Sequence, residues 1–297
     1  MNRRHIESLR QQMELNESRN LLHPQAELLL EIDPVFQAAL EELLAGGAED
    51  FEIDLLADDA ASALIDRIHA VNQYIQINKR AKDSLKRIYL QSWRKIVTTR
   101  NIESVLRNHH YPKLKAYLAK LYPPELMHAI ASSPTLGRVP CCEYSANLQM
   151  RLFRLDMAAI IEPLLDIGCG CDANLVEYLR SKGIKAYGID RSIKRRAGYL
   201  TEIDWFEMRL ERGIWGTIVS NLAFTNHLVY AERYDKQGAE RYLKKYTEIL
   251  DSLAGGGSFI YAPCVESLEA QTDGRKFHTE KWSILASHIV TKVTRNV

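Results

Sequence analysis

Nowhere in its 297 residues does this chain hold an uninterrupted apolar stretch near the roughly 20 residues that a spanning helix needs, so no membrane span is expected. The start, Met1-Asn2-Arg3-Arg4-His5, runs straight into Glu7, Arg10 and Glu14 without an apolar segment. No secretory leader is therefore expected, and the expected location is the cytoplasm. Cysteine is sparse and odd in number, five in all, which does not read as a disulfide framework and fits a reducing compartment. Adjacent cysteines such as Cys141-Cys142 chelate poorly, and Cys169-x-Cys171 lies in a loop with another evident task, so no metal site is expected. Net charge is nearly absent as well: +1 gives no global signal for nucleic acid and none for a membrane surface.

What is present is the balance of a globular protein, 46% apolar and 26% charged, in a chain long enough for two domains. Up to about Pro134 apolar residues recur at helical spacing, as in Leu28-Leu29-Leu30, Leu43-Leu44 and Leu85, Ile88 and Tyr89, with no convincing strand. Pro24, Pro34, Gly46-Gly47, Pro112, Pro123-Pro124 and Pro134 should cut the region into five or six helices. No repeat of fixed period is visible. The spacing predicts an all-α domain over residues 1–135, a cap or substrate domain, followed by a second domain over 136–297.

Charge within the first domain is uneven. Glu27 to Asp66 is rich in carboxylates, whereas Lys79 to Lys120 sets many lysines and arginines against only Asp83 and Glu103. The basic stretch also carries Tyr89, Trp93, His109, His110 and Tyr111. It reads in two ways: as a surface for RNA, DNA or an anionic substrate, with aromatics stacking on bases and cations meeting phosphates, or as a solvated helix face pairing with the acidic stretch.

From Leu164 the pattern alternates strand and helix, which implies a parallel sheet covered on both faces, with ligands outside the carboxyl ends of the strands. Leu164 to Ile167 reads as a buried strand, Asp172 to Lys182 as a helix, Ala186 to Ile189 as a strand and the residues from about Ser192 as a short helix. Thr217-Ile218-Val219, Ser258 to Ala262 and His288 to Val293 read as further strands, with a helix through Glu240 to Leu253. Gly168-Cys169-Gly170 lies between the first strand and first helix, where glycine permits a tight turn and close approach of backbone to a ligand.

Gly168-x-Gly170-x-x-Ala173 also satisfies a dinucleotide fingerprint. Charge separates the two possibilities. Asp166 and Asp172 flank the loop, and each would repel a pyrophosphate by something on the order of 2 to 3 kcal/mol at roughly 6 Å and an effective dielectric near 20. A ligand bearing an ammonium and a sulfonium would be attracted, and S-adenosylmethionine has both. Asp190, 22 positions after Gly168, can accept ribose hydroxyls of either cofactor. Asp204-Trp205 offers an acceptor and an aromatic face for an adenine.

Leu164-Leu165-Asp166-Ile167-Gly168-Cys169-Gly170, Tyr187-Gly188-Ile189-Asp190 and Ile218-Val219-Ser220-Asn221-Leu222-Ala223-Phe224 resemble motifs I, II and IV of class I S-adenosylmethionine-dependent methyltransferases, over roughly Tyr144 to Val297. The family's frequent third glycine is replaced by Asp172. The resemblance implies an α/β fold, a Rossmann-like doubly wound sheet of the class I methyltransferase type, following the all-α N-terminal domain. It implies S-adenosylmethionine as cofactor, with Asp166 and Gly168 facing its methionine part, Asp190 the ribose and Asp204-Trp205 the adenine, and with Cys169, Gly170 and Asn221 also in the cofactor-binding set. A helix within Tyr144 to Leu155 would cover the cofactor, which puts Tyr144 in the set.

Asn221 to Phe224 follows the fourth strand, and Asn221 and Phe224 are expected at the acceptor, as in Asn-Pro-Pro-Tyr type motifs, although both prolines are missing. His227 is the candidate general base should the acceptor be a hydroxyl. Tyr261 and Cys264 are pocket candidates by position, while Phe277, His278 and Trp282 line the acceptor side or belong to the core. The expected function is methyl transfer to a small molecule or a nucleic-acid base, with RNA contact through 79–120 as a further expectation. An NAD-dependent oxidoreductase and a non-catalytic binding module on the same fold are the alternatives.

Overall fold

Short polar residues and prolines begin the helices of the N-terminal half. The computed structural model describes residues 3–16, 19–24, 26, 30–47, 49–122, 131, 144–285 and 288–297, and the chain divides into two units, Met1–Cys141 and Cys142–Val297. In the first, α1 covers Arg3–Leu15, α2 Pro34–Ala45, α3 Asp50–Val71 and α4 Lys79–Thr99. Asp33 caps α2 by accepting from the Val35 N–H, and Pro34 stands in the first turn, where its missing N–H leaves no orphan. Asn78 caps α4 by accepting from the Ala81 N–H.

Pro112 was expected to break a helix and does not. α5 (Ile102–Val105) continues through a π-helical turn, Leu106–His110, into α6 (Tyr111–Ala119). A proline inside an α-helix clashes with the carbonyl four residues earlier; in the wider π turn the bonding partner shifts by one residue, so the chain keeps going. Leu28, Leu29, Pro123, Pro124, Pro134, Cys141 and Cys142 lie outside the described residues.

The core of this unit joins its described helices. Leu56, Leu85 and Ile96 are fully buried there, each contributing about 2 kcal/mol through apolar burial. Ala57, Ala60 and Ala61 on α3 are small enough for close approach to α4. Tyr89, Trp93, His110 and Tyr111 are buried in this core, so these aromatics of the basic stretch are not surface rings for stacking on bases. Lys86 pairs with Asp54 at 2.8 Å and Asp58 at 3.5 Å, joining the basic stretch to the acidic one.

The second unit is built on a seven-stranded sheet. Its strands are β1 Leu164–Ile167, β2 Ala186–Asp190, β3 Leu200–Glu202, β4 Trp215–Asn221, β5 Leu253–Ala262, β6 Phe277–Leu285 and β7 His288–Arg295. The order is β3-β2-β1-β4-β5-β7-β6, parallel from β3 to β5, with β7 antiparallel to both β5 and β6. The helices are α7 Ala146–Leu152, α8 Asn174–Ser181, α9 Phe224–Tyr234, α10 Lys236–Ser252 and α11 Glu266–Gln271.

Successive strand residues feed opposite faces: Leu165 and Ile167 join the core with Leu228 and Tyr246, while Leu164 joins the one with Val176 and Leu179. This is the expected Rossmann-like, doubly wound α/β architecture. The order reverses between β1 and β4, which opens a crevice beyond their carboxyl ends.

Two local expectations fail. No helix forms after Ser192, because the segment's polar groups are taken: the Ser192 N–H donates to Asp190 Oδ1 at 3.0 Å and the Lys194 N–H to the Cys171 carbonyl at 3.0 Å. β6 was not anticipated as a strand. It is an edge, and edge strands carry charges such as Glu280 and Lys281 that obscure the alternation. Among the described residues no helix is long and apolar enough to cross a membrane.

Candidate cofactor and acceptor site

The crevice begins with two glycines after β1. Gly168 and Gly170 have φ of 77° and 78°, which glycine alone adopts without strain. The N–H groups of Gly168 and Cys169 both donate to the Ile189 carbonyl, at 2.9 and 3.1 Å, pinning the loop to β2. A Cβ on Gly168 would lie 2.3 Å from that of Ala223 and 3.6 Å from the Trp205 ring. The loops after β1 and β4 thus touch at the switch point.

Gly168→Ala is expected to lose roughly 2 to 4 kcal/mol of stability, from left-handed strain and overpacking together. Gly183→Ala is the control, because its φ of 87° is equally left-handed but nothing lies within 4 Å; it should lose about 1 kcal/mol. Denaturant melts compare the two. Equal losses would mean that the Gly168–Ala223 contact is not constraining.

The acids come next. Asp166 is 1% exposed, and its Oδ2 has no hydrogen-bond partner. Burial, and then the neighbouring charge of Asp190, push its carboxyl up to about 8. Asp190 accepts from the Gly170 N–H at 3.0 Å and the Ser192 N–H at 3.0 Å. Burial nonetheless raises its pKa, against the lowering by these N–H groups. The acid that reinforces Asp166 is therefore Asp190. Asp172, expected to share that role, pairs instead with Lys194 at 3.1 Å, so its charge is compensated.

Trp205 lies beside Gly168 with its ring 4% exposed, and its Nε1 is buried without a partner. Asp204 accepts from the Phe206 N–H at 2.9 Å, a turn that fixes the pair. His227 stands edge-on to Trp205, centroids 5.0 Å apart, and is 3% exposed. Phe224 is fully buried against Trp205 and Tyr242. The expectation of Phe224 stacking on an acceptor is corrected here: the ring is a wall of the aromatic core with no exposed face.

Asn221 ends β4, and its Oδ1 is buried without a partner. Ser220 Oγ donates to the Ile167 carbonyl at 2.8 Å and accepts from the Phe224 N–H at 3.2 Å, joining β1, β4 and α9. Sequence reasoning missed that link, although a small hydroxyl residue before a helix start is a signal for it. The carbonyl of Tyr144 accepts from Gln149 at 3.0 Å and Asn174 at 3.4 Å, so the start of α7 is tied to the start of α8. Cys169 turns its thiol into the core against Gly188, so only its backbone belongs to the loop.

The remaining candidates lie elsewhere. Tyr261 and Phe277 are core residues, His278 is exposed, and Trp282 donates from Nε1 to the Leu152 carbonyl at 3.0 Å. Cys264 Sγ donates to Glu269 at 2.8 Å. Among the described residues no cluster of three or more metal-ligating side chains occurs.

Fold and site together define a doubly wound α/β domain with an acidic, glycine-lined crevice at its switch point. No family model matches the sequence, and no curated protein matches it. Among solved structures the chain is similar to the N-methyltransferase NodS from Bradyrhizobium japonicum WM9, in complex with S-adenosyl-L-homocysteine. That likeness has 13% identity and a TM-score of 0.37, over 50% of this chain and 85% of that one. It is also similar to Burkholderia thailandensis 1,6-didemethyltoxoflavin-N1-methyltransferase, with bound 1,6-didemethyltoxoflavin and S-adenosylhomocysteine. Identity there is 12% and the TM-score 0.37, over 52% of this chain and 80% of that one. A third is the [4+2]-cyclase SpnF, at 13% identity and a TM-score of 0.36, over 51% of this chain and 80% of that one. At these values no residue's role is transferred from them.

Proposed function

We propose that the C-terminal unit binds S-adenosylmethionine in the crevice beyond β1, β2 and β4, and transfers a methyl group to a small molecule or a nucleic-acid base. The observation that carries this is the buried carboxyl of Asp166, whose Oδ2 has no hydrogen-bond partner, beside Asp190 and the two left-handed glycines. A cationic ligand supplies the compensation such a group lacks, and a pyrophosphate does the opposite.

When bound, S-adenosylmethionine supplies a methyl carbon already activated by its sulfonium. The chain then has only to align the acceptor and exclude water. Asp166 would hold the ammonium, and the free lone pairs of Asp190 the ribose hydroxyls. The Trp205 Nε1 and Asn221 Oδ1, both buried without partners, fit polar groups of a ligand. Asn221 is the residue for orienting an acceptor N–H or O–H. His227, buried edge-on to Trp205, supports that ring. Burial of Tyr89, Trp93, His110 and Tyr111 leaves an RNA contact through 79–120 resting on lysines, arginines and the half-buried His109, which favours the small molecule.

The Lys194–Asp172 pair removes one of the two carboxylates expected to repel a pyrophosphate, and this keeps the NAD-dependent oxidoreductase as a second reading. Calorimetric titration with S-adenosylmethionine and with NAD, on the wild type and on Asp190→Ala, separates them. Binding of S-adenosylmethionine alone, weakened by the substitution, is the expected result. Binding of NAD instead would establish the second reading, and binding of neither by the folded protein would leave a non-catalytic module.

A further inference from the structure

The helical unit holds a partly open cavity of about 170 Å3. Interiors are close-packed, with few voids larger than a water molecule, and an apolar void of comparable size, roughly 150 Å3, holds benzene in an engineered protein. The wall is mainly apolar: Leu9 from α1, Ile68 from α3, Ile96 from α4 and Leu114 from α6. A void of this size forfeits the dispersion contacts of its lining, which an occupant restores.

Polar residues also line it, Gln12, Asn16, Arg19, Asn20 and Arg67 among them, and within the helical core the wall carries the pair Ser92 and His110. Ser92 Oγ donates to the Ile88 carbonyl at 2.9 Å, so its single proton is in use. Its contact of 3.0 Å to His110 Nδ1 is therefore made by an Nδ1–H donor, which leaves the lone pair on Nε2. The ring is set between Tyr89 and Tyr111, at centroid distances of 4.9 and 5.5 Å. Burial, and then the charge of His109, push His110 down to about 4, so the ring is neutral at pH 7. Its place on the wall comes from the π-helical turn Leu106–His110, a rare geometry found frequently at functional sites.

We propose that this cavity binds a small aromatic molecule of the size of phenol or indole, carrying one O–H or N–H that donates to His110 Nε2. The site lies within the helical unit and does not depend on the methyl-transfer reading.

The test uses the full chain, 13C-labelled at leucine and isoleucine methyl groups, titrated with phenol and with toluene, its analogue without a donor. Phenol should shift the methyl signals of Leu9, Ile96 and Leu114 and bind about fivefold more tightly than toluene. In His110→Phe the preference should vanish while both still bind. Absence of methyl shifts with either probe, equal affinity of the two in the wild type, or a preference kept in His110→Phe would overturn the proposal. The comparison on the unaltered protein stands even if the variant does not fold. No methyl donor is added, so failure here and failure of the cofactor proposal are separate results.

Discussion

Asp166→Asn is expected to stabilise the ligand-free protein and, in the same variant, to remove most of its affinity for S-adenosylmethionine. The carboxyl is buried and its Oδ2 unpartnered, with a pKa pushed up to about 8 from 3.8. For a carboxyl raised on folding, the unfolded chain ionises first. Stability is then complete below about pH 4, falls as pH rises, and levels off above pH 8. At pH 7 the deficit is about 4 kcal/mol. Asparagine keeps the shape without the charge, so melts at pH 7 should show a gain of up to about that size, growing from pH 4 to 8. Affinity should fall about a hundredfold or more, as for removing one member of a buried charge pair. A variant destabilised at pH 8 would show that Asp166 is not strained, and one that binds as well as the wild type that it is not a ligand-binding group.

The second large effect is a proton. With Asp166 at about 8, most molecules carry the acid form at pH 7, and a cationic ligand demands the ionised one. Binding should then release close to one proton per site at pH 7. Affinity should rise about tenfold per pH unit between roughly pH 5 and 8 before it levels. Calorimetric titration in buffers of different ionisation enthalpy counts the proton directly. The ligand's own amino group titrates in a similar range, so the difference between wild type and Asp166→Asn isolates the side chain. A wild type that releases no more than the variant would mean that the acid pair does not select the cation, and the case against a pyrophosphate ligand would go with it.

Signals between chain neighbours were legible. Leu164 to Gly170 announces a strand and a glycine turn within seven residues, and both glycines take the left-handed φ that such a turn requires. Ala186 to Asp190 ends on a carboxylate that bonds the same loop. Signals depending on distant partners were not legible. The segment after Ser192 reads as a helix until Asp190 and the Cys171 carbonyl take the N–H groups of Ser192 and Lys194. The charges of β6 hide a strand that pairs along one side only.

The sequence by itself determined the doubly wound alternation and the acid-and-glycine crevice, because turn chemistry and hydrophobic periodicity act over a few residues. Only the tertiary structure decided that Asp166 is dry and opposed by Asp190, that Asp172 is neutralised by Lys194, that Phe224 is a wall, and that the helical unit keeps a cavity beside a neutral His110. Desolvation and packing are set by residues far apart in the chain, and no local pattern carries them.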